Sequence, residues 1–119
     1  MNPGDVVLLP LPQAVGPAKL RPALVLSTLP GSYADLLVCG ISTQLHQQVK
    51  GFDETITSGD ADFAASGLLA DSLVRLGFLT VLSRRNIVGS IGAISPERHE
   101  RLLKILSKHL TASVGGQTP

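Results

Sequence analysis

The chain has 119 residues, which suits one compact domain and leaves no length for a second core. Hydrophobic residues make up 44% and charged residues 16%, a balance that excludes a disordered chain. The net charge of +1 excludes a strongly basic protein that coats nucleic acid, so nucleic-acid binding would need a local group of cations. Aromatic residues are only 3%, which predicts an aliphatic core and few stacking platforms for bases.

Cysteine usage and hydropathy indicate the compartment. The single cysteine, Cys39, lies in an apolar run and cannot form an intramolecular disulfide, which fits a reducing cytosol. No apolar run approaches the roughly 18–20 residues that span a bilayer, and the first residues lack the pattern of a signal peptide. We therefore expect a cytoplasmic protein with no membrane partner.

Strand signals dominate the first 94 residues. Apolar runs bounded by Gly, Pro, Ser or Asp predict strands, in chain order, at 6–9, 23–26, 36–41, 68–76 and 88–94, with shorter candidates at 55–57 and 79–82. A loop over 10–20, rich in Pro and Gly, joins the first two strands. Short strands at this close spacing predict a mainly β fold, either an antiparallel barrel or a strongly bent sheet.

One helix follows the strands. Ser95 is the predicted N-cap, Pro96 fits the first helical position, and Glu97 suits the positive end of the helix dipole. Four leucines recur at helical spacing opposite four basic residues: Leu102, Leu103, Leu106 and Leu110 against Arg98, Arg101, Lys104 and Lys108. Residues 112–119 lack apolar periodicity, so we predict one domain over 1–111 and a flexible tail.

Polar groups stand out at three points of the predicted sheet. Arg21 precedes a proline at the start of the second strand and beside the loop, and its planar guanidinium suits phosphate or carboxylate. Ser42-Thr43-Gln44 follows the third strand directly. Arg75 interrupts an apolar strand, and alternation places it on the face opposite Val74 and Leu76. Together these residues predict an anion site.

Each of these residues also has a structural explanation. Arg21 can solvate a loop–strand junction, and Ser42-Thr43 can form a turn that ends the strand. Arg75 can pair with Asp71 or another carboxylate on the surface. His46 is predicted in a loop. No Cys/His or paired-carboxylate spacing predicts a metal site. Acidic residues cluster at Asp53, Glu54, Asp60 and Asp62, which leaves Lys19, Arg21, Arg75, Arg84 and Arg85 as candidates for a separate basic surface.

Five segments, taken in order, resemble the MazF/PemK-like toxins of toxin–antitoxin modules over about residues 3–107. They are GDVVLLPLP, KLRPALVLS, ISTQ, GLLADSLVRLGFLTVLS and IGAISPERHERLLKIL. The resemblance implies a CcdB/MazF-like fold, which is an SH3-like barrel of short antiparallel strands with a C-terminal helix, and a homodimer. It also implies a toxin that inhibits translation and growth by cutting single-stranded RNA without a metal or other cofactor, through attack of the 2′-hydroxyl.

The resemblance assigns roles to individual residues. Arg21 matches the arginine of the family's strand-start RP motif, to which catalysis is attributed. Ser42 takes the position of a threonine, with Thr43 after it, so the family's usual order is inverted but both hydroxyls are kept. Arg75 matches an arginine that some PemK-type members carry. We accordingly expect catalytic roles for Arg21, Ser42 and Thr43, and substrate binding by Lys19, Gln44, His46 and Arg75.

Two positions depart from the family pattern. Gly77 replaces an acidic residue, and Val15 lies near the place of a histidine that some members have in the first loop. The matched positions therefore offer no evident general base, a group whose contribution is typically ~10²–10⁴ in rate. His46 is a possible substitute.

The resemblance also implies a cognate antitoxin, whose acidic or disordered tail would cover the RNA channel. Two other functions remain open for the same fold. One is a non-enzymatic poison of the CcdB type that binds a protein target, gyrase, although the loose C-terminal residues argue against it. The other is a catalytically degenerate member that is retained as a binding module. The inverted Ser42-Thr43 pair and Gly77 favour this last alternative.

Overall fold

The computed structural model describes residues 1–11, 16–17 and 19–114. In these residues six antiparallel strands form one sheet in the order β4-β5-β3-β2-β1-β6. The strands are β1 Asp5–Leu11, β2 Lys19–Thr28, β3 Leu36–Ser42, β4 Glu54–Ile56, β5 Ser72–Leu82 and β6 Gly89–Ala93. The helices are α1 Phe63–Ser66 and α2 Pro96–Ala112, and single 3-10 turns cover Leu45–Gln47 and Arg84–Asn86.

The predicted mainly β class with a C-terminal helix is confirmed, and one detail of the strand prediction is wrong. The runs predicted separately at 68–76 and 79–82 belong to the single strand β5, which begins only at Ser72. Residues 68–71 leave the sheet because α1 ends just before them at Gly67, in the left-handed conformation, and polar turn contacts follow. The Ser72 hydroxyl donates to the Ala70 carbonyl, and the Asp71 carboxylate accepts from the Ser58 amide.

Apolar side chains pack on both faces of the sheet, because neighbouring residues of a strand point to opposite sides. One buried cluster joins the sheet to α2 and includes Val6, Leu24, Cys39, Val74 and Leu102. The second cluster lies on the opposite face and is formed by alternate residues of β1, β2 and β3 together with Ile87: Val7, Leu9, Ala23, Val25, Leu36 and Val38. Cys39 is buried as predicted, and burial, with a smaller contribution from the Asp53 charge, raises the pKa of its thiol to about 12.

The sheet is curled, and α1 lies between its two ends. This helix follows β4 in the chain but packs on β6, the strand at the opposite edge. The approach requires two glycines: a Cβ on Gly67 would overlap the Ile91 carbonyl, and a Cβ on Gly92 would overlap the backbone of α1. Covering β6 in this way protects an edge strand from pairing with other chains.

The helix α2 begins as predicted. Ser95 is its N-cap, its hydroxyl accepts a hydrogen bond from the Arg98 amide, and Pro96 is the first helical residue. Leu110, predicted on the apolar face, is 55% exposed, whereas Leu102 and Leu106 of the same face are buried, so burial against the sheet stops before the last turn of the helix. None of the helices that the structure describes is long and apolar enough to cross a membrane. The predicted domain over 1–111 and tail over 112–119 stay predictions, since residues 115–119 lie outside the described part of the chain.

The expected position of Arg98 on the solvent face of α2 is wrong. The residue is 7% exposed, and its side chain lies among the acidic residues that the sequence shows as a cluster. Its guanidinium donates two hydrogen bonds to Asp62, at 2.8 and 3.1 Å, one to Glu54 at 3.0 Å and one to Asp60 at 3.2 Å. Helical periodicity identifies faces but not buried ion pairs, so the pattern of leucines alone gave the wrong side for this residue.

This arginine connects three parts of the chain. Its Nη1 also donates to the Thr55 carbonyl, and the Asp62 carboxylate accepts from the Ser95 amide, so α2, β4 and the segment before α1 share one polar centre. The pKa of the Asp62 carboxyl is lowered to about 2, mainly because the carboxylate accepts hydrogen bonds from Arg98. Arg101 adds an outer contact to Glu54 at 2.7 Å.

We predict that Asp62→Asn destabilises the fold, because Arg98 would lose its closest negative partner in a buried site. The expected loss at neutral pH is ~3–5 kcal/mol in the free energy of unfolding, measured by urea titration. The pKa of Asp62 is about 2 in the folded protein and 3.8 in the unfolded chain. The stability that the ionised carboxylate contributes is therefore present above about pH 4 and is lost as the pH falls toward 2. Between these pH values the free energy of unfolding of the parent should fall by about 2 kcal/mol more than that of Asp62→Asn.

Glu100→Gln is the matched control, since Glu100 is exposed and its one ion pair within the described residues is with Lys104, one helical turn away. This change should alter the free energy of unfolding by no more than ~0.5 kcal/mol. Equal stability of Asp62→Asn and Glu100→Gln at neutral pH would contradict the role of the Arg98 centre.

Candidate functional site: a cationic cleft on the face opposite α2

The register of the central strands brings the predicted site residues onto one face. Gly40 of β3 pairs with Ala23 of β2 on one side and with Arg75 of β5 on the other. Residues opposite one another in antiparallel strands share a face, and so do residues two positions apart on one strand. Arg21, Ser42 and Arg75 therefore lie on the face of Ala23, away from α2, as alternation predicted for Arg75.

A bulge in β5 shapes one side of this face. Cys39 pairs with Leu79, but the next residue, Gly40, pairs with Arg75, so residues 76–78 have no counterparts on β3. The Asp53 carboxylate supports the bulge from inside: one oxygen accepts from the Leu76 amide at 3.0 Å and the other from the Val49 amide at 2.9 Å. Asp53 is 6% exposed, and it thereby ties the segment after β3 to the bulged strand.

The bulge places Phe78 beside the glycine of β3. A Cβ on Gly40 would lie 3.3 Å from Cδ1 of the Phe78 ring, so the ring rests where β3 has no side chain. The Arg75 guanidinium lies 5.2 Å from the centroid of the same ring, within the range of a cation–π contact. The phenylalanine and the arginine thus form one unit at the wall of the site.

These residues line a cleft of about 400 Å³. The sequence predicted five of them, namely Arg21, Ser42, Thr43, Gln44 and Arg75, and the structure brings all five together. Sequence reasoning missed Gln47, Ser72 and Phe78. Phe78 follows three residues after Arg75, but only the bulge brings it to the same face, and no local pattern in the sequence predicts that bulge.

The hydroxyl groups differ in the hydrogen bonds that they can still make. The Ser42 oxygen accepts from the Gln44 amide at 3.0 Å, so the predicted strand-ending turn is present, and its hydrogen remains able to donate. Thr43 is exposed beside it. The Ser72 hydroxyl is committed to the Ala70 carbonyl at 2.7 Å. Ser42 and Thr43 therefore supply the hydroxyl donors available to a ligand.

The charge of the cleft is positive and uncompensated by acids. Within the described residues the side chains of Arg21 and Arg75 make no hydrogen bond or ion pair, and no Asp, Glu or His lines the cleft. The alternative pairing of Arg75 with Asp71 or another surface carboxylate is wrong, because no carboxylate of the described residues forms an ion pair with Arg75. The Asp71 carboxylate accepts from the Ser58 amide. Two free guanidiniums, two hydroxyls and the amides of Gln44 and Gln47 make a site for an anion that also carries hydrogen-bonding groups.

Other cations of the predicted basic surface lie elsewhere. Lys19 is exposed on β2 but does not line the cleft, and His46 lies on the exposed turn next to Gln47 without lining it. Arg84 donates to the carbonyls of Met1 and Ala34, both at 3.0 Å, beyond the far end of β2, which is a structural role. In the loop predicted over 10–20, residues 12–15 and 18 lie outside the described residues. No group of three or more His, Cys, Asp or Glu in the described chain is arranged to hold a metal ion.

The family model described as PemK-like, MazF-like toxin of type II toxin-antitoxin system matches residues 2–110. The chain belongs to this toxin family. Membership implies an antitoxin as partner of the toxin. Among solved structures, the toxin is similar to Mycobacterium tuberculosis toxin MazF-mt6, with a TM-score of 0.62 and 15% identity over 90% of this chain and 96% of that chain. At this identity the likeness supports the fold alone, and no curated protein sequence matches the toxin.

We predict that Asp53→Asn weakens the wall of the cleft in this toxin. Asparagine offers one acceptor oxygen where the carboxylate offers two, so either the Val49 or the Leu76 amide would lose its partner. The expected cost is ~1–3 kcal/mol in the free energy of unfolding, with faster hydrogen exchange at the amide left unpaired. Urea titration and exchange measured by NMR would test both.

Asp35→Asn is the matched control, because the Asp35 side chain makes no hydrogen bond within the described residues. We expect it to change the free energy of unfolding by less than ~0.5 kcal/mol. If Asp53→Asn were equally harmless, the Asp53 carboxylate would not be what holds the bulge.

Proposed function

We propose that this toxin is an endoribonuclease that cleaves single-stranded RNA without a metal, leaving a cyclic phosphate and a free 5′-hydroxyl. The observation that carries the proposal is that the Arg21 and Arg75 guanidiniums, which have no acidic partner among the described residues, face one cleft with the Ser42 and Thr43 hydroxyls. Such a site matches a phosphodiester, which has one negative charge in the ground state and gains another as it reacts. Membership of the family supports the same reaction.

The reaction can be followed atom by atom. The 2′-hydroxyl of RNA attacks the adjacent phosphorus, the bond from phosphorus to the 5′-oxygen breaks, and the departing oxygen takes a proton from water. Negative charge grows on the non-bridging oxygens of the five-coordinate phosphorus. Donors that are already in place stabilise this charge without reorganisation, which is commonly the largest contribution to such catalysis.

Arg21 is the proposed electrostatic clamp of this transition state. A guanidinium stays protonated at neutral pH, so this side chain does not remove a proton but donates hydrogen bonds in a planar fork. Ser42 and Thr43 add hydroxyl donors to the phosphate. Arg75 supplies the second positive charge, and Gln44 contacts the chain of nucleotides at the rim.

The proton of the 2′-hydroxyl needs an acceptor, and the described lining of the cleft contains no carboxylate or imidazole. Residues 12–15 and 18 are Pro, Gln, Ala, Val and Ala, so they carry no ionisable side chain either. We therefore propose that hydroxide or water takes this proton. The enzyme would then be slow compared with one that has a positioned base, whose contribution is typically ~10²–10⁴ in rate.

The biological setting follows from the same proposal. RNA cleavage in the cytoplasm would stop translation and growth, and the antitoxin would relieve it by placing an acidic, disordered tail in the cationic cleft. Arg21 and Arg75 offer that tail the same contacts that they offer RNA, with Lys19 beside them on β2. We propose a homodimer as the active form, which light scattering coupled to size-exclusion chromatography would test.

Incubation of the purified protein with a long mixed-sequence RNA in EDTA, followed by mapping of the 5′ ends, tests the activity. We expect discrete cuts with 5′-hydroxyl ends, and no cut where the nucleotide 5′ of the site carries a 2′-deoxy sugar. Cleavage at a 2′-deoxy site would overturn the mechanism. Absence of all cleavage together with intact antitoxin binding would favour the degenerate member, and complex formation with gyrase would favour the CcdB-type poison.

We predict that Arg21→Ala lowers the cleavage rate on the order of 10²–10³-fold, the loss expected for one well-placed transition-state donor. Lys19→Ala is the control on the same strand and the same face, two residues away and outside the cleft. It should change the rate only a few-fold, and less as salt is added. Near-parental cleavage by Arg21→Ala would remove Arg21 from the catalytic role.

We also predict the pH dependence of cleavage. Without an ionisable base in the cleft, the logarithm of the rate should rise with pH at a slope near one across the neutral range. Single-turnover rates at a series of pH values would measure this slope. A plateau near pH 7 would instead indicate a titrating base, and its disappearance in His46→Gln would identify His46 as that group.

A further inference from the structure

Phe78 is unusual among the aromatic residues of this chain. Of the three phenylalanines, Phe52 and Phe63 pack against the core beneath α2, whereas Phe78 is 55% exposed. An exposed phenylalanine forgoes the stabilisation that burial of its apolar surface would give, and this chain has few aromatic residues. The side chain nevertheless lies in the cleft where, within the described chain, two guanidiniums have no hydrogen-bond or ion-pair partner.

Three features of the structure fix the position of the Phe78 ring. The three-residue bulge of β5 turns Phe78 toward the cleft, and Gly40 leaves the space that its ring edge occupies. Arg75 fixes the ring from another direction, with its guanidinium carbon 5.2 Å from the ring centroid. Gln44 and Gln47, whose amides can both donate and accept, line the same cleft.

This combination is that of a nucleobase subsite. Every base has a π-face that stacks on an aromatic ring, and stacking next to a cationic groove is how single strands are commonly held. A bare phosphate needs only the guanidiniums and hydroxyls, so the ring would have no purpose in a site for phosphate alone. A carboxylate-bearing peptide would likewise gain little from the exposed ring face.

We infer that Phe78 stacks a base of the single-stranded nucleic acid whose phosphate is held by Arg21 and Arg75. The inference rests on the proposed function for the identity of the ligand as RNA. The subsite accepts any base by stacking, and the Gln44 and Gln47 amides are placed to favour particular bases by hydrogen bonds. Phe78 is a binding residue in this scheme, so its loss should raise KM much more than it lowers kcat.

Binding of uncleavable strands separates stacking from phosphate contacts. The probes are homopolymeric 2′-deoxy oligonucleotides and a matched abasic strand that keeps the phosphates and lacks the bases. The parent should bind the base-bearing strands about 5- to 150-fold more tightly than the abasic strand, the range that stacking of one base gives. Phe78→Ala should lose most of this preference with unchanged affinity for the abasic strand, whereas Arg21→Ala should weaken both.

Fluorescence gives a second measurement that a purely structural role of Phe78 would not affect. The chain has no Trp, so Phe78→Trp introduces one selectively excitable indole into the cleft and keeps the aromatic surface. Its emission should be quenched by base-bearing strands but not by the abasic strand. Tyr33→Trp is the matched control, because Tyr33 is 84% exposed in the turn between β2 and β3, at the opposite end of β2 from Arg21.

The two proposals fail in different ways. A full base preference in Phe78→Ala, or equal quenching of Phe78→Trp by the abasic strand, would overturn the stacking subsite even if RNA is cut. If the preference for base-bearing strands depends on Phe78 but the protein cuts no RNA, the stacking subsite would be supported and the proposed ribonuclease activity would be overturned. Unfolding curves of each variant exclude loss of the fold as the cause.

Discussion

The buried guanidinium of Arg98 is the contact on which the architecture depends. A curled sheet with two edges must be closed by something other than strand pairing, and here α2, β4 and the segment before α1 converge on one cation. A buried charge is tolerated only when its partners satisfy it, so this centre forces those three segments into a single arrangement. Nonpolar packing between α2 and the sheet is less directional and would allow the helix to slide.

The same arrangement separates the charges of the molecule. On the side of α2, Glu54, Asp60 and Asp62 form ion pairs with Arg98 and Arg101. On the opposite face, no acidic residue of the described chain lines the cleft that contains the other two guanidiniums. A chain with a net charge of only +1 can in this way present a strongly cationic site. The net charge is therefore a poor guide to anion binding in a protein whose acidic residues form ion pairs away from the cationic site.

Much of the fold and part of the site follow from the sequence for identifiable reasons. The strands, the Ser95 cap and the side to which Arg75 points are local properties, set by periods of two or by the first helical turn. Arg21, Ser42 and Arg75 meet because they lie at strand positions that pairing brings together, and the family resemblance supplies that pairing. The burial of Arg98 and the β5 bulge depend on contacts between distant segments, such as Asp53 with Leu76, which no local period encodes.

The cleft is assembled from β2, β3 and β5, so it exists only in the folded chain. A ligand held there binds the native state and not the unfolded one, and mass action then adds to stability, by about 2.7 kcal/mol when the free ligand is at one hundred times its Kd. Any ligand that occupied the two guanidiniums would thus raise the free energy of unfolding of the toxin. The protein with an empty cleft would then be the form that unfolds most readily.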